Sequence, residues 1–163
     1  MKKILLLALL ICSISFAQNK DYTLISVVQS PNSLGDGFSL GLQIEGRNNI
    51  LYYGAELYSF PDLNNIDYNH VIGRVGLQHN IFTNEFRKPL LTIHAGPRAG
   101  SILREGRIYP LLGLESGFDV FLFQSKFFIG ASFTSDMKAD SKLWSTDSHH
   151  TVNSGLIRIG FTY

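Results

Sequence analysis

Two groups of residues in this 163-residue chain have types suited to chemistry. The first is the run Trp144-Ser145-Thr146-Asp147-Ser148-His149-His150. It offers a hydroxyl, a carboxylate and an imidazole within a few positions, the ingredients of nucleophilic acyl transfer. Neighbours on an extended chain point to opposite faces, so these groups do not converge as a triad must. The same geometry parts His149 from His150 and makes a poor metal site of the two with Asp147. His70, His79 and His94 stand on separate segments. Glycines recur at strand spacing and never open a helix, so there is no phosphate-cradling loop. The expectation is a chain with no catalytic residue, no metal and no cofactor, and therefore not an enzyme.

The second group is Glu45, Glu56, Arg74, Arg98, Glu115, Asp119 and Arg158. Each sits on the polar side of a segment whose alternate residues are apolar. Carboxylates and guanidiniums are mutual partners, and burial makes pairing compulsory, because an unpaired buried charge costs several kcal/mol. The chemistry expected of these seven is an ion-paired network that is structural rather than catalytic.

The elements that carry them read as strands. No helical period is sustained, whereas period-2 segments bounded by turn residues recur eight times, at 22–29, 37–46, 50–60, 68–81, 89–101, 108–122, 125–136 and 151–163. In the clearest, Phe38, Leu40, Leu42 and Ile44 alternate with Ser39, Gly41, Gln43 and Glu45. In the last, Ile157, Ile159, Phe161 and Tyr163 oppose Ser154, Arg158, Gly160 and Thr162, with Leu156 the one large apolar member of the polar face. Closing eight such strands puts the polar faces around an interior about wide enough for side chains, not an aqueous channel. Gly41, Gly54, Gly76, Gly96, Gly113 and Gly130 lie on those faces and leave room for longer neighbours. Pro97 has no N–H for a ladder; a bulge at Gly96-Pro97 could accommodate it but would shift the parity of Arg98, so the register there stays open. Arg98 stays inside, since a charge facing lipid near the midplane costs about 2–4 kcal/mol.

The joints between strands divide into tight turns at 47–49, 84–88 and 123–124, and longer loops at the opposite end at 30–36, 61–67, 102–107 and 137–150. Aromatics near strand ends, namely Tyr52, Tyr53, Tyr58, Phe60, Phe82, Tyr109, Phe121, Phe123, Phe127 and Tyr163, are expected as girdles at the two membrane–water interfaces.

Residues 1–17 have the layout of a secretory signal: Lys2 and Lys3, an apolar run from Ile4 to Ile11, then small residues to Ala17, after which cleavage is expected. Cys12 is the single cysteine, and bulky Ile11 before it argues against lipidation. Its removal with the signal would preclude disulfides. Residues 18–163 then form one domain. Loss of the two lysines leaves 12 basic against 13 acidic residues, a net charge of −1. That balance lacks the basic footprint of a nucleic-acid binder. Charged residues make up only 17% of the chain against aromatics at 12%, a poor match to a soluble domain with its usual charged share of roughly 25%.

Signal, eight alternating segments and the closing Ile-Gly-Phe-Thr-Tyr together resemble the small eight-stranded outer-membrane barrels of Gram-negative bacteria, the OmpA-type and OmpX-type proteins. The resemblance covers nearly all of residues 18–163. It implies an all-β, antiparallel up-and-down transmembrane barrel in outer-membrane lipid. It further implies that Ile157, Ile159, Phe161 and Tyr163 are the signal read by the barrel-assembly machinery. The function expected is structural, adhesive or envelope-interacting, through a partner that the sequence does not specify. One alternative is a lipid A-modifying envelope enzyme that removes or transfers acyl chains. His150-Thr151-Val152-Asn153 faintly resembles the His-any-Ser-Asn motif of lipid A deacylases, but Val152 stands where that serine belongs. A second alternative is a secreted soluble β-barrel that binds a small ligand.

Overall fold

The computed structural model describes residues 22–31, 38–48, 50–63, 66–85, 88–124, 126–139 and 151–163. The signal segment with Cys12, the loop at 32–37 and the Ser/His-rich run at 144–150 lie outside the described residues.

Eight strands close into one antiparallel up-and-down barrel: β1 Tyr22–Pro31, β2 Phe38–Arg47, β3 Leu51–Leu63, β4 Ile66–Thr83, β5 Pro89–Arg104, β6 Arg107–Leu122, β7 Phe127–Lys138 and β8 Thr151–Thr162. Each strand pairs with its sequence neighbours, and β1 with β8 completes the ring. Strand length and strict alternation dictate this outcome. A period of two sorts every strand into two faces, and closure hides one face and leaves no open edge.

The outward face is a hydrocarbon-like belt. Leu40, Leu42, Leu77, Leu112, Leu114, Phe133, Ile157 and Ile159 are all exposed on it. Contiguous apolar surface on this scale is incompatible with a monomer in water and suits a protein that lipid solvates. No helix is long and apolar enough to cross a membrane, so strands are the spanning elements.

The inward face is layered. Near the β6–β7 turn, Leu24, Phe121 and Phe128 form a small apolar cluster, the two phenylalanine rings 5.8 Å apart. Towards the β5–β6 turn, Tyr58, Ile72, Ile102, Leu111 and Leu156 form a second, with Tyr109 packed against it. Charged and polar residues fill the level between. Register explains how large groups fit there, because long side chains are set beside glycines on neighbouring strands. Gly54 lies between Glu45 and Arg74, and Gly130 between Asp119 and Arg158. Likewise Gly113 lies between Arg98 and Asp136, and Gly76 beside Tyr52.

One open point is decided and two expectations are corrected. Pro97 needs no bulge. The β5–β6 register runs unbroken through Gly96↔Glu115, Pro97↔Leu114 and Arg98↔Gly113. On the β4 side, pairing lapses after Arg74↔Arg98 and resumes at Leu77↔Ala95 without a shift. The missing donor is absorbed by that lapse, so parity survives and Arg98 stays inside. Second, the joints at 61–67 and 102–107 are not long loops. β3 and β4 run to Leu63 and from Ile66, and β5 turns into β6 through Glu105 and Gly106 alone. Both turn residues are left-handed, at φ 48° and 77°, the conformation a two-residue hairpin demands. Arg47 likewise belongs to β2 rather than to a turn. Third, Tyr52, Tyr58 and Phe121 are buried inside the barrel and Tyr109 packs inward, whereas Tyr53, Phe82, Phe123 and Tyr163 are exposed.

The close approach of β4 and β5 generates a prediction. A methyl group on Gly76 would meet the Tyr52 ring at 2.6 Å and the Gly96 Cα at 2.7 Å, besides the Ala95 carbonyl oxygen. Two of these are backbone atoms with nowhere to move. Gly76→Ala is expected to destabilise the folded barrel by about 1–3 kcal/mol through overpacking. Urea unfolding in detergent micelles, followed by tyrosine and tryptophan fluorescence, measures it.

Candidate functional site

The barrel interior is the one place where chemistry-bearing side chains converge among the described residues. Every strand from β2 to β8 delivers charged groups to it because its polar parity faces inward. Glu45, Glu56, Arg74, Arg98, Glu115, Asp119 and Arg158 all lie there, none more than 4% exposed. The structure joins them in one continuous network.

Arg74 is its hub. Its Nη1 lies 2.8 Å from Glu56 Oε1 and 3.1 Å from Glu45 Oε2, and its Nη2 donates to Glu115 Oε1. Arg98 Nη2 donates to Glu56 Oε2 at 3.3 Å, with Nη1 3.7 Å from Glu115 and Nε 3.4 Å from Asp136. Asp119 is a second hub: Oδ1 accepts from Arg158 Nη2 at 2.8 Å, and Oδ2 from Arg47 Nη2 at 2.5 Å. Arg47 also donates to Glu45, and Arg158 Nη1 lies 3.8 Å from Glu45. Asp119, Arg47, Glu45 and Arg158 therefore close a ring of alternating charge.

Five residues outside the original seven take part. Arg47 is missed because a turn is read one residue too early, although parity with Glu45 across Gly46 would have included it. Asp136 continues the inward row Gly130, Ser132, Thr134 on β7. Tyr52 donates to Glu115 Oε1 at 2.9 Å, and the Arg74 guanidinium lies over its ring at 5.1 Å. Gln43 donates to Glu45 at 2.7 Å. His94 reads as an isolated histidine, yet its Nε2 lies 3.0 Å from Arg158 and 3.2 Å from Ser132 Oγ, and its Nδ1 3.4 Å from Asp119. Parity gave a signal for each of the five, but only barrel closure shows which partner each one meets.

The set comprises five carboxylates (Glu45, Glu56, Glu115, Asp119, Asp136) and four guanidiniums (Arg47, Arg74, Arg98, Arg158), all buried. Charges removed from water are stabilised only by partners in good geometry, and taking one partner away leaves the other stranded. No nucleophile stands next to a general base here. Among the described residues no cluster of three His, Cys, Asp or Glu is arranged to hold a metal ion. The arrangement is equipped to hold strands together and to fill space.

Ile157, Ile159, Phe161 and Tyr163 lie on the opposite face. They form an exposed outward row on β8, and Phe161 meets Phe127 edge-on at 5.4 Å between centroids.

No protein-family model matches the sequence, and no curated protein matches it significantly. Solved structures do match the fold. A de novo designed transmembrane β-barrel superposes with a TM-score of 0.60 at 11% identity, over 90% of this chain and 99% of that one. The N-terminal β-barrel domain of OprF from Pseudomonas aeruginosa gives 0.59 at 10% identity, over 90% and 100%. Neisserial surface protein A gives 0.52 at 14% identity, over 86% and 93%. The chain thus has the fold of the small eight-stranded outer-membrane barrels.

Asp119 supports two arginines at once. Asp119→Leu is expected to cost about 3–5 kcal/mol, the penalty for stranding buried charge. Asp119→Glu, which keeps the charge but meets the limited space beside Gly130, should cost less. Thermal unfolding of both variants in micelles ranks them.

Proposed function

We propose that this is an exported outer-membrane protein of a Gram-negative envelope, a closed and non-conducting barrel with a structural or adhesive role and no enzymatic activity. The observation that carries the reading is the interior: a continuous ion-pair network lying between two apolar clusters. A wet pore would keep its charges apart and hydrated, lining the wall. Here they reach across the centre to one another, and Leu24, Phe121 and Phe128 on one side and Tyr58, Ile72, Ile102, Leu111 and Leu156 on the other exclude water from both ends.

The remaining parts fit this reading. The outward belt supplies the area that outer-membrane lipid must solvate. The outward row Ile157, Ile159, Phe161 and Tyr163 on the closing strand is what the barrel-assembly machinery would read, once residues 1–17 have directed export and been removed after Ala17. Contact with an external partner falls to the β3–β4 and β5–β6 hairpins, whose strands are the longest in the barrel at 13 to 18 residues. These strands exceed the roughly 9–11 residues needed to cross a bilayer at a tilt, so the excess projects beyond the membrane.

Two measurements test the proposal. The purified protein should show heat-modifiable gel mobility and fractionate with outer membrane; a monomer stable in plain buffer would sink the membrane reading. In planar lipid bilayers it should give no stable conductance steps. Long-lived open channels in the wild type would show that the interior is not sealed.

A further inference from the structure

The β1–β8 seam has the shortest run of paired residues in the ring among the described residues. It pairs residues 24–29 with 157–162, and Thr23 and Tyr163 add a pair of backbone hydrogen bonds at its end. β1 carries no acidic or basic residue in its ten positions, YTLISVVQSP, so it sends no charge into the network. Ionic attachment of the two ends of the sheet must therefore pass over β1, directly from β8 to β2. The structure has such a connection. Arg158, fully buried on β8, lies 3.8 Å from Glu45 on β2 and donates to Asp119 on β6 at 2.8 Å. The other oxygen of Asp119 accepts from Arg47, also on β2, at 2.5 Å. One carboxylate thus holds an arginine from each side of β1.

We propose that Arg158, gripped by Asp119 and Glu45, is a latch that keeps the barrel shut by tying β8 to β2 across the charge-free first strand. This goes beyond filling the lumen. Arg74 is also buried and makes three ion pairs, yet its partners Glu45, Glu56 and Glu115 lie on β2, β3 and β6, and none of them spans the seam. The two arginines therefore separate a latch from a general core residue. Until β8 docks, Asp119 and Glu45 have Arg47 but lack Arg158. Closing the ring and completing the charge ring are one event. Arg158 is a positioning residue for the seam, and its effect should be read there first.

Amide hydrogen exchange of the barrel refolded in micelles tests this, comparing wild type, Arg158→Gln and Arg74→Gln. Arg158→Gln should raise exchange at the β1 and β8 seam amides by about tenfold relative to the β4–β5 amides, a local opening below the global one. Arg74→Gln should weaken the barrel without changing that ratio. Equal loosening of seam and β4–β5 in Arg158→Gln would overturn the latch and leave a general core residue. If Arg158→Gln does not fold, a seam disulfide replaces the latch. Ile25 and Phe161 are directly paired and both exposed, and beyond Cys12 the chain has no competing cysteine. Ile25→Cys with Phe161→Cys, oxidised, should restore folding to Arg158→Gln; failure to do so would overturn the proposal.

Discussion

A charge inside an eight-stranded barrel has nowhere to go except the opposite wall. The outward face is apolar, the interior of an eight-stranded barrel is about wide enough for side chains, and an apolar cluster lies at either end of the charged layer. The guanidiniums of Arg47, Arg74, Arg98 and Arg158 must then find carboxylates inside, and this requirement constrains the rest of the molecule. It fixes the parity of the strands, since a one-residue slip would put Arg74 and Glu115 into hydrocarbon. It also explains the glycines. A lumen crowded with arginines and carboxylates has volume for them only where neighbouring positions carry no side chain, as at Gly54 beside Glu45 and Arg74 or Gly130 beside Asp119 and Arg158. Glycines that weaken a strand as isolated residues are here a condition of packing.

Much of this was legible from residue order because period two is a strong signal and the charges fall on it consistently. The eight strands and their facing directions follow from alternation alone. What alternation cannot supply is the partner that an inward amphipathic ring meets. Tyr52 and Tyr53 are adjacent aromatics near one strand start, and either suits an interface. Tyr52 turns inward because Glu115 accepts its hydroxyl and Gly76 leaves room for its ring. Both partners lie on other strands. Pro97 shows the same limit. A proline in a ladder demands an adjustment, but whether the chain bulges or the ladder lapses depends on which neighbour holds register, and here β6 does. Strand ends blur for a local reason. Pro61 looks like loop, and Glu105-Gly106 looks like part of a longer one, yet β3 pairs with β4 as far as Leu63 and Ile66, and β5 turns into β6 through two residues.

The two faces of the wall divide the work. The inward face stores electrostatic and packing energy that makes one closed arrangement preferable to slipped or open ones. The outward face is nearly featureless hydrocarbon, broken by small residues such as Ala95, Ala99 and Ser116, and it suits a protein that lipid solvates rather than one that folds around a ligand.

Spin labels placed singly along β8 test the central claim most directly, because each position reports whether it sees oil, water or protein. With the barrel reconstituted in lipid, labels at Ile157, Ile159 and Phe161 should be accessible to oxygen and shielded from a water-soluble nickel reagent. Labels at Leu156 and Gly160 should be shielded from both. Nickel access along the row of Ile157, Ile159 and Phe161, or oxygen access at Gly160, would mean that the greasy face does not meet lipid and that the charges do not meet one another.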